Sequence, residues 1–145
     1  MAEQASDRLI MRATPEQCIA VVTDFERYPE WAADIKEVEV EGRDDEGRGT
    51  SVRYRTAAMG QSARYTLAYD YSDAPHSMAW KLTEGNIMRV LDGSYTFDAS
   101  DGGTLVTYHL EVELLIPMPG FVKRRAEAKI MGTALRELKR RVESI

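Results

Sequence analysis

Aromatic side chains with one polar end recur at alternating positions through the middle of the sequence. The set includes Tyr54, Tyr69, Trp80, Tyr95 and Tyr108. Tyr and Trp combine a large apolar body with one hydrogen-bonding group, so a surface rich in them suits a mostly hydrophobic ligand that carries a few polar atoms. Any single ring is better explained as part of a core. The set as a whole therefore carries the prediction of a ligand site.

Conventional catalytic motifs are missing from the sequence, which has no nucleophile elbow, HExxH motif or glycine-rich phosphate loop. His109 alternates with glutamates and His76 lies beside a proline in a turn-like stretch, so both are predicted to be exposed. Arg89 and Asp92 interrupt an apolar run and are better candidates for polar groups near a cavity. Arg89 and Asp92 are an odd number of positions apart, so they cannot both face inward on a regular strand. Catalytic residues stay unknown, and an enzyme is the less favoured class.

Composition and charge disfavour several classes of partner. The net charge of −5 argues against a nucleic-acid binder, because Lys and Arg dominate contacts to phosphates. Cys18 is the single cysteine and is far in sequence from both histidines, so no metal site, disulfide or cofactor is predicted. The sequence has no apolar run of about 18 residues and no signal-like N-terminus. We therefore expect a cytoplasmic protein with no integral membrane association.

The aromatic residues must be positioned by a sheet, because turn-forming stretches divide the middle of the chain into short alternating runs. These stretches are DDEGRG, AMGQS, SDAPHS, TEGN and SDGG. Such short connections join antiparallel neighbours. Together with an N-terminal strand over residues 3–12, they predict a seven-stranded sheet whose other strands cover residues 35–43, 49–58, 62–72, 77–84, 87–98 and 104–115.

Helices are predicted at two places outside this meander. Thr14 fits an N-cap, Pro15 the first helical position and Gln17 the third position of a capping box. Pro29 interrupts that helix and predicts a kink or loop followed by a short second helix. A long amphipathic helix is predicted from about residue 119 to 143, with Ala128, Met131, Leu135, Leu138 and Val142 on its buried face.

A strand period of two sends the aromatic residues of the strands to one face, which the C-terminal helix must cover. Small residues near the middle of that helix, Ala128, Gly132 and Ala134, predict unfilled volume beneath it. The stretch TAAMGQS, with Met118 and Phe121, is expected to form the mouth. The predicted ligand-binding residues are Trp31, Tyr54, Tyr69, Trp80, Tyr95, Tyr108, Phe121, Met131 and Leu135.

The order of strand, helix pair, six-stranded meander and long helix resembles the helix-grip fold of the START-like (SRPBCC) superfamily, which includes the birch pollen allergen proteins. It is most similar to the polyketide cyclase/dehydrase and lipid-transport family, to which coenzyme Q binding proteins are related. The resemblance covers essentially the whole chain through TPEQCIAVVTDFERYPEWAADIKEVEV, GSYTF, GTLVTYHLEVEL and PMPGFVKRRAEAKIMGTALRELKRRVE. It implies an α+β fold, a single ligand-binding domain over residues 1–145, and a cavity.

Two function classes stay open at this point. The first is binding or transport of a lipid, polyketide or quinone-like molecule, and the second is a polyketide cyclase or dehydratase in which Tyr54, Tyr69 or Arg89 would assist. Two or more titratable groups with perturbed pKa values converging in the cavity would favour the enzyme, and an apolar lining would favour carriage. Glutamates along EVEVEGRD discourage open-ended strand pairing, which predicts a monomer or a small closed dimer.

Overall fold

Seven strands and two α-helices follow one another in the predicted order in a computed structural model, which describes residues 3–58, 61–115, 117 and 119–144. A short 3-10 helix, Phe25–Glu30, follows the first α-helix. The elements are β1 (Glu3–Met11), α1 (Pro15–Thr23), β2 (Ile35–Arg43), β3 (Gly49–Ala58), β4 (Gln61–Asp70), β5 (Ser77–Gly85), β6 (Met88–Ser100), β7 (Gly103–Leu114) and α2 (Gly120–Val142). This α+β arrangement confirms the predicted fold class.

All seven strands form one antiparallel sheet in the order β1-β7-β6-β5-β4-β3-β2. Consecutive strands from β2 to β7 are neighbours, and β1 closes the series by pairing with β7, from Glu3 opposite Val112 to Met11 opposite Thr104. Strand bounds agree with the sequence prediction within a few residues. The turn signals were sufficient to predict the order of the strands, because connections this short place each strand beside the next strand in the chain.

Alternation of buried and exposed residues places the apolar set of each strand on the helix-facing side of the sheet. The pattern is strict in β7, where every second residue from Thr104 to Leu114 is buried. A register shift between Thr66 and Leu67 interrupts the pairing of β4 with β5. Such irregularities increase local twist and bend a strand, which suits a sheet that curves around a helix.

The capping box at α1 is present as predicted. The Gln17 backbone N–H donates to Thr14 Oγ1 at 3.1 Å, and the Thr14 backbone N–H donates to Gln17 Oε1 at 2.8 Å. The second short helix lies earlier than predicted, because Pro29 sits inside the 3-10 helix and does not precede it. A helix of only six residues needs few internal hydrogen bonds, so the missing N–H of proline is tolerated there.

The C-terminal half of α2 is anchored to the rest of the molecule. Leu135, Leu138 and Val142 are fully buried, and the helix contacts β1, β7 and α1. Its acidic side chains hold backbone groups: Glu143 Oε2 accepts from the Arg12 N–H at 2.9 Å, and Glu137 Oε2 from the Ala33 N–H at 3.0 Å.

The buried face of the N-terminal half of α2 differs from the prediction. Ala128 is exposed, whereas Ala126 is buried and Ile130 is half-buried. Two residues along a helix correspond to a rotation of about 200°, so Ala128 lies on the side opposite Ala126. The Met131 side chain lies outside the described part of the structure. Across the described residues, no helix is long and apolar enough to cross a membrane.

Candidate functional site: a cavity beneath the C-terminal helix

A cavity of about 620 Å³ lies between the inner face of the sheet and α2. Its volume is within the range of small-molecule sites, roughly 300 to 1,000 Å³. Strands β3 to β7 supply most of the wall, and residues 28–35 close one side. None of the wall residues contributed by the sheet is charged. The interior surface is therefore built from aromatic, aliphatic and hydroxyl-bearing side chains.

Six of the nine residues predicted to bind a ligand lie on the cavity wall. They are Trp31, Tyr54, Tyr69, Trp80, Tyr95 and Tyr108. The five strand residues were identified by their alternation, which the regular pleat preserves. Trp31 follows the 3-10 helix and packs against Tyr28, with ring centroids 4.9 Å apart.

Two of the other three predicted residues, Leu135 and Phe121, are not on the wall. Leu135 is buried, but it belongs to the hydrophobic core with Leu138 and does not line the cavity. Phe121 is 64% exposed and points away from the cavity, whereas its neighbour Val122 lines it. The rotation of about 100° per helical residue explains both differences, since adjacent residues face different directions. Met131 and the predicted mouth residue Met118 lie outside what the structure describes.

Several wall residues were missed by the sequence analysis. Tyr65 alternates with Leu67 and Tyr69 on the inner face, and this parity was a usable signal. Tyr28 lies in the 3-10 helix, where no strand periodicity could indicate its direction. The helix contributes a stripe at spacings of three and four residues, which the basic character of the segment obscured: Val122, Arg125, Ala126, Lys129, Ile130, Thr133, Ala134 and Glu137.

Three rings form the aromatic end of the cavity. The centroid of Trp80 lies 5.4 Å from that of Tyr95 and 5.9 Å from that of Tyr108, and the two tyrosine rings are 4.9 Å apart. Gly93 makes room for this cluster, because a Cβ there would lie 2.7 Å from the Trp80 ring. The close packing fixes the orientation of the rings and presents a rigid apolar surface.

Some polar ends in the wall are already bonded. The hydroxyls of Tyr54 and Tyr69 are 2.5 Å apart, and the Tyr28 hydroxyl donates to the Val22 carbonyl. In contrast, the hydroxyls of Tyr95 and Tyr108 have no hydrogen-bond partner among the described residues, although both side chains are more than nine-tenths buried. Buried polar groups are normally paired, so these hydroxyls are available to polar atoms of a ligand.

Burial controls the ionisation of the phenols in the wall. Removal from water raises the pKa of Tyr54, Tyr69 and Tyr108 well above the ordinary tyrosine value. Burial also raises the pKa of Tyr65, and the nearby negative charge of Asp34 contributes to that rise. At neutral pH these groups are hydrogen-bonding phenols and not proton-accepting phenolates. Their chemistry suits orientation of a ligand better than general base catalysis.

The polar residues suggested from the sequence, Arg89 and Asp92, do not line the cavity. Arg89 is exposed, with its Nε 3.8 Å from Glu113 Oε2. The Asp92 carboxylate accepts a hydrogen bond from the Leu82 backbone N–H at 2.9 Å. Both side chains therefore contact neighbouring strands of the sheet and not the cavity. Within the described residues, no group of three metal-ligating side chains is present.

The charged residues of the cavity lie at its edge. Asp34, Arg125 and Lys129 line the cavity and are also exposed, as is Val122. A side chain that meets both conditions must stand at the opening to solvent. We call these four residues the mouth. Glu137 also lines the cavity but is half-buried, and its carboxylate is bonded to Ala33.

Comparison with known proteins agrees with the resemblance drawn from the sequence. Residues 1–143 match the family described as polyketide cyclase/dehydrase and lipid transport. The structure is similar to that of a START superfamily protein from Mycobacterium smegmatis, with 25% identity, a TM-score of 0.88 and 97% of each chain covered. No match was found among curated proteins.

More distant structures share the architecture. The Zhui aromatase/cyclase from a Streptomyces species has a TM-score of 0.82 at 14% identity, covering 99% of this chain and 94% of that chain. Ginseng major latex-like protein 151 from Panax ginseng has a TM-score of 0.72 at 13% identity, with 97% of each chain covered. At such low identities the likeness shows the fold alone, and it confirms the helix-grip architecture.

Proposed function

Because the chain belongs to the polyketide cyclase/dehydrase and lipid transport family, we propose that it binds a hydrophobic small molecule in the cavity under α2. The observation that carries this proposal is the chemistry of the wall. Among the described residues, the sheet contributes fifteen apolar and aromatic side chains and Thr56 to a cavity of about 620 Å³, without one charged side chain. Transfer of an apolar ligand from water to such a surface is favourable in proportion to the area buried.

The wall also favours particular ligands. Aromatic faces from Trp80, Tyr95 and Tyr108 suit flat rings as well as alkyl chains, and the two hydroxyls without protein partners suit one or two oxygen atoms. Lipids, polyketides and quinone-like molecules meet this description. Carriage is favoured over catalysis because the phenols are held protonated by burial, and no charged side chain of the sheet reaches the interior.

A second candidate is cyclisation of a polyketide-like substrate in the same cavity, the activity named for one of the structural relatives. The observation that favours it is the contact between the Tyr54 and Tyr69 hydroxyls, 2.5 Å apart on the wall. A bonded phenol pair can donate to a substrate carbonyl and polarise it. Neither phenol is available as a base at neutral pH, so the pair could polarise a carbonyl but could not accept the proton.

Binding is tested with phenylnaphthylamine, a neutral fluorescent probe of apolar sites, and with native mass spectrometry of the same sample. We expect saturable fluorescence enhancement and a complex of one probe per chain. Absence of both signals in correctly folded protein would contradict the proposal. The cyclase alternative is tested in parallel by incubating the protein with a poly-β-keto ester and analysing the products by mass spectrometry. We expect the ester to be recovered without accelerated cyclisation.

A further inference from the structure

We infer that the ligand of this cavity is an amphiphile with an anionic head, a carboxylate or a phosphate, and that Arg125 and Lys129 hold that head at the mouth. This inference rests on the proposed function, because it assigns one end of the molecule bound in the same cavity. Two features of α2 carry it: where the two cations stand, and the absence of a pairing group for them among the residues that the structure describes.

Position is the first feature. Arg125 and Lys129 both line the cavity and are both exposed, so their charged ends reach the opening while their aliphatic stems contribute to its wall. Their separation of four residues places them one above the other on the same face of α2. Two positive groups therefore stand side by side where a ligand would leave the cavity.

Pairing is the second feature. Neither Arg125 nor Lys129 forms an ion pair or side-chain hydrogen bond with a described residue. The residues three and four positions away on the helix carry no acid: Phe121, Val122, Ala126, Ala128, Gly132 and Thr133. Elsewhere on α2 the chain does supply such a partner, since Lys139 Nζ lies 2.5 Å from Glu143 Oε2 at the same spacing. Like charges four residues apart destabilise a helix slightly, so this pair does not serve helix stability.

The described acidic groups near the mouth do not neutralise the pair. Asp34 is the only exposed acid among the described wall residues, and it forms no ion pair with either cation. The Glu137 carboxylate lies two turns beyond Lys129 and is engaged by the Ala33 N–H at 3.0 Å. The mouth therefore carries two positive charges against one negative charge, an arrangement that favours an anion beside α2.

The uncharged sheet wall fixes the direction in which such a ligand binds. An ionised head in the interior would lose its hydration without gaining a counter-charge, which is strongly unfavourable. At the mouth the same head stays partly hydrated and meets the guanidinium group of Arg125, which can hold a carboxylate or phosphate by two parallel hydrogen bonds. The apolar tail then lies along the aromatic and aliphatic wall, with the head outward.

The test compares three single-chain amphiphiles of equal length below their micelle concentrations: palmitic acid, hexadecyl phosphate and hexadecanol. Each displaces phenylnaphthylamine, which is neutral and reports on the apolar wall alone. The test variant is Arg125→Gln/Lys129→Gln. The control is Arg136→Gln/Arg140→Gln, which removes two exposed cations at the same spacing that do not themselves line the cavity.

We expect wild type to bind the acid and the phosphate more tightly than the alcohol. In the test variant the affinity for both anions should fall about 3- to 10-fold, with the alcohol unaffected, since partly exposed ion pairs contribute modestly. The fall should shrink at high salt. Asp34→Asn should tighten anion binding.

Equal affinities for the acid, the phosphate and the alcohol, or equal loss in test and control variants, would overturn the inference while leaving the proposed function intact. Failure of phenylnaphthylamine to bind wild type would overturn both.

Discussion

At the scale of single residues, the cavity wall contains two kinds of tyrosine. Tyr54 and Tyr69 satisfy each other through a hydroxyl contact of 2.5 Å. Tyr95 and Tyr108 are as deeply buried, yet their hydroxyls have no partner in the described part of the chain. We expect the first kind to stabilise the folded protein and propose that the second kind bonds to polar atoms of a ligand. This difference can be measured by removing one oxygen at a time.

Tyr69→Phe leaves the buried Tyr54 hydroxyl without its partner. Because an unsatisfied buried polar group loses its hydration without compensation, we expect the free energy of unfolding to fall by about 1 kcal/mol or more. Tyr95→Phe is the matched control, since it removes a hydroxyl that bonds to no described residue. Its free energy of unfolding in ligand-free protein should stay near that of wild type. Urea denaturation measures both, and equal losses in the two variants would refute the distinction.

At the scale of elements, α2 shows which features of a helix can be predicted from sequence patterns and which cannot. The existence and the bounds of the helix were predictable because its apolar residues recur every three or four positions. Its cavity-facing stripe was not, because the N-terminal half covers open volume and not a packed core. Arg125 and Lys129 line the cavity although they are charged and exposed. The cavity-facing side of the helix therefore lacks the purely apolar pattern by which a buried face is identified from sequence.

The turn between β4 and β5 is held to β6 by an ionisable side chain. His76 Nδ1 lies 3.0 Å from Asp73 Oδ2, and its Nε2 lies 2.9 Å from Asp98 Oδ1. These hydrogen bonds, with Asp98 first and Asp73 second, raise the pKa of His76 above the ordinary 6.5. A raised pKa means that the folded protein binds the proton more tightly. The resulting stabilisation is complete below pH 6.5 and is lost as the pH rises through the folded-state value.

We therefore expect the thermal midpoint of wild type to fall as the pH rises above 6.5 and expect His76→Gln to reduce that fall. His109→Gln is the control, because it removes the other histidine from a half-buried position on β7 that is not part of this turn, and it should keep the wild-type slope. The effect is small, because His76 is exposed and such pairs are weak. If the thermal midpoint of His76→Gln depended on pH as strongly as that of wild type, the predicted contribution of His76 would be refuted.

At the scale of the whole molecule, the topology followed from sequence because each turn joins neighbours, and one helix had to cover the sheet. The second short helix was misplaced, since local signals do not show that a proline can sit inside a 3-10 turn. The presence of a cavity was inferred from small residues, two of which, Ala128 and Gly132, do not line it. The third, Ala134, lines the cavity, together with Ala126, which was not predicted.

The free edge of the sheet at β2 carries charges that bear on assembly. Glu37 Oε2 lies 2.9 Å from Arg55 Nε, and Glu39 pairs with Arg53, so the glutamates of the edge strand are bound to cations of β3. A charged, hydrated edge disfavours continued strand pairing with other chains. The monomer or small closed dimer stays a prediction, and light scattering that shows large open assemblies would contradict it.

We propose that the space beneath α2 binds an apolar ligand and is not merely loosely packed core. Phenylnaphthylamine titration of Ala134→Phe tests it most directly, with Ala128→Phe as the control, because Ala134 lines the cavity and Ala128 is exposed on the same helix. We predict that Ala134→Phe weakens binding about tenfold or more while its unfolding stays close to that of wild type, and that Ala128→Phe changes neither. The proposed ligand site would be contradicted if wild type bound no probe and Ala134→Phe lost about 1 to 3 kcal/mol of stability, as overpacking of a filled core does.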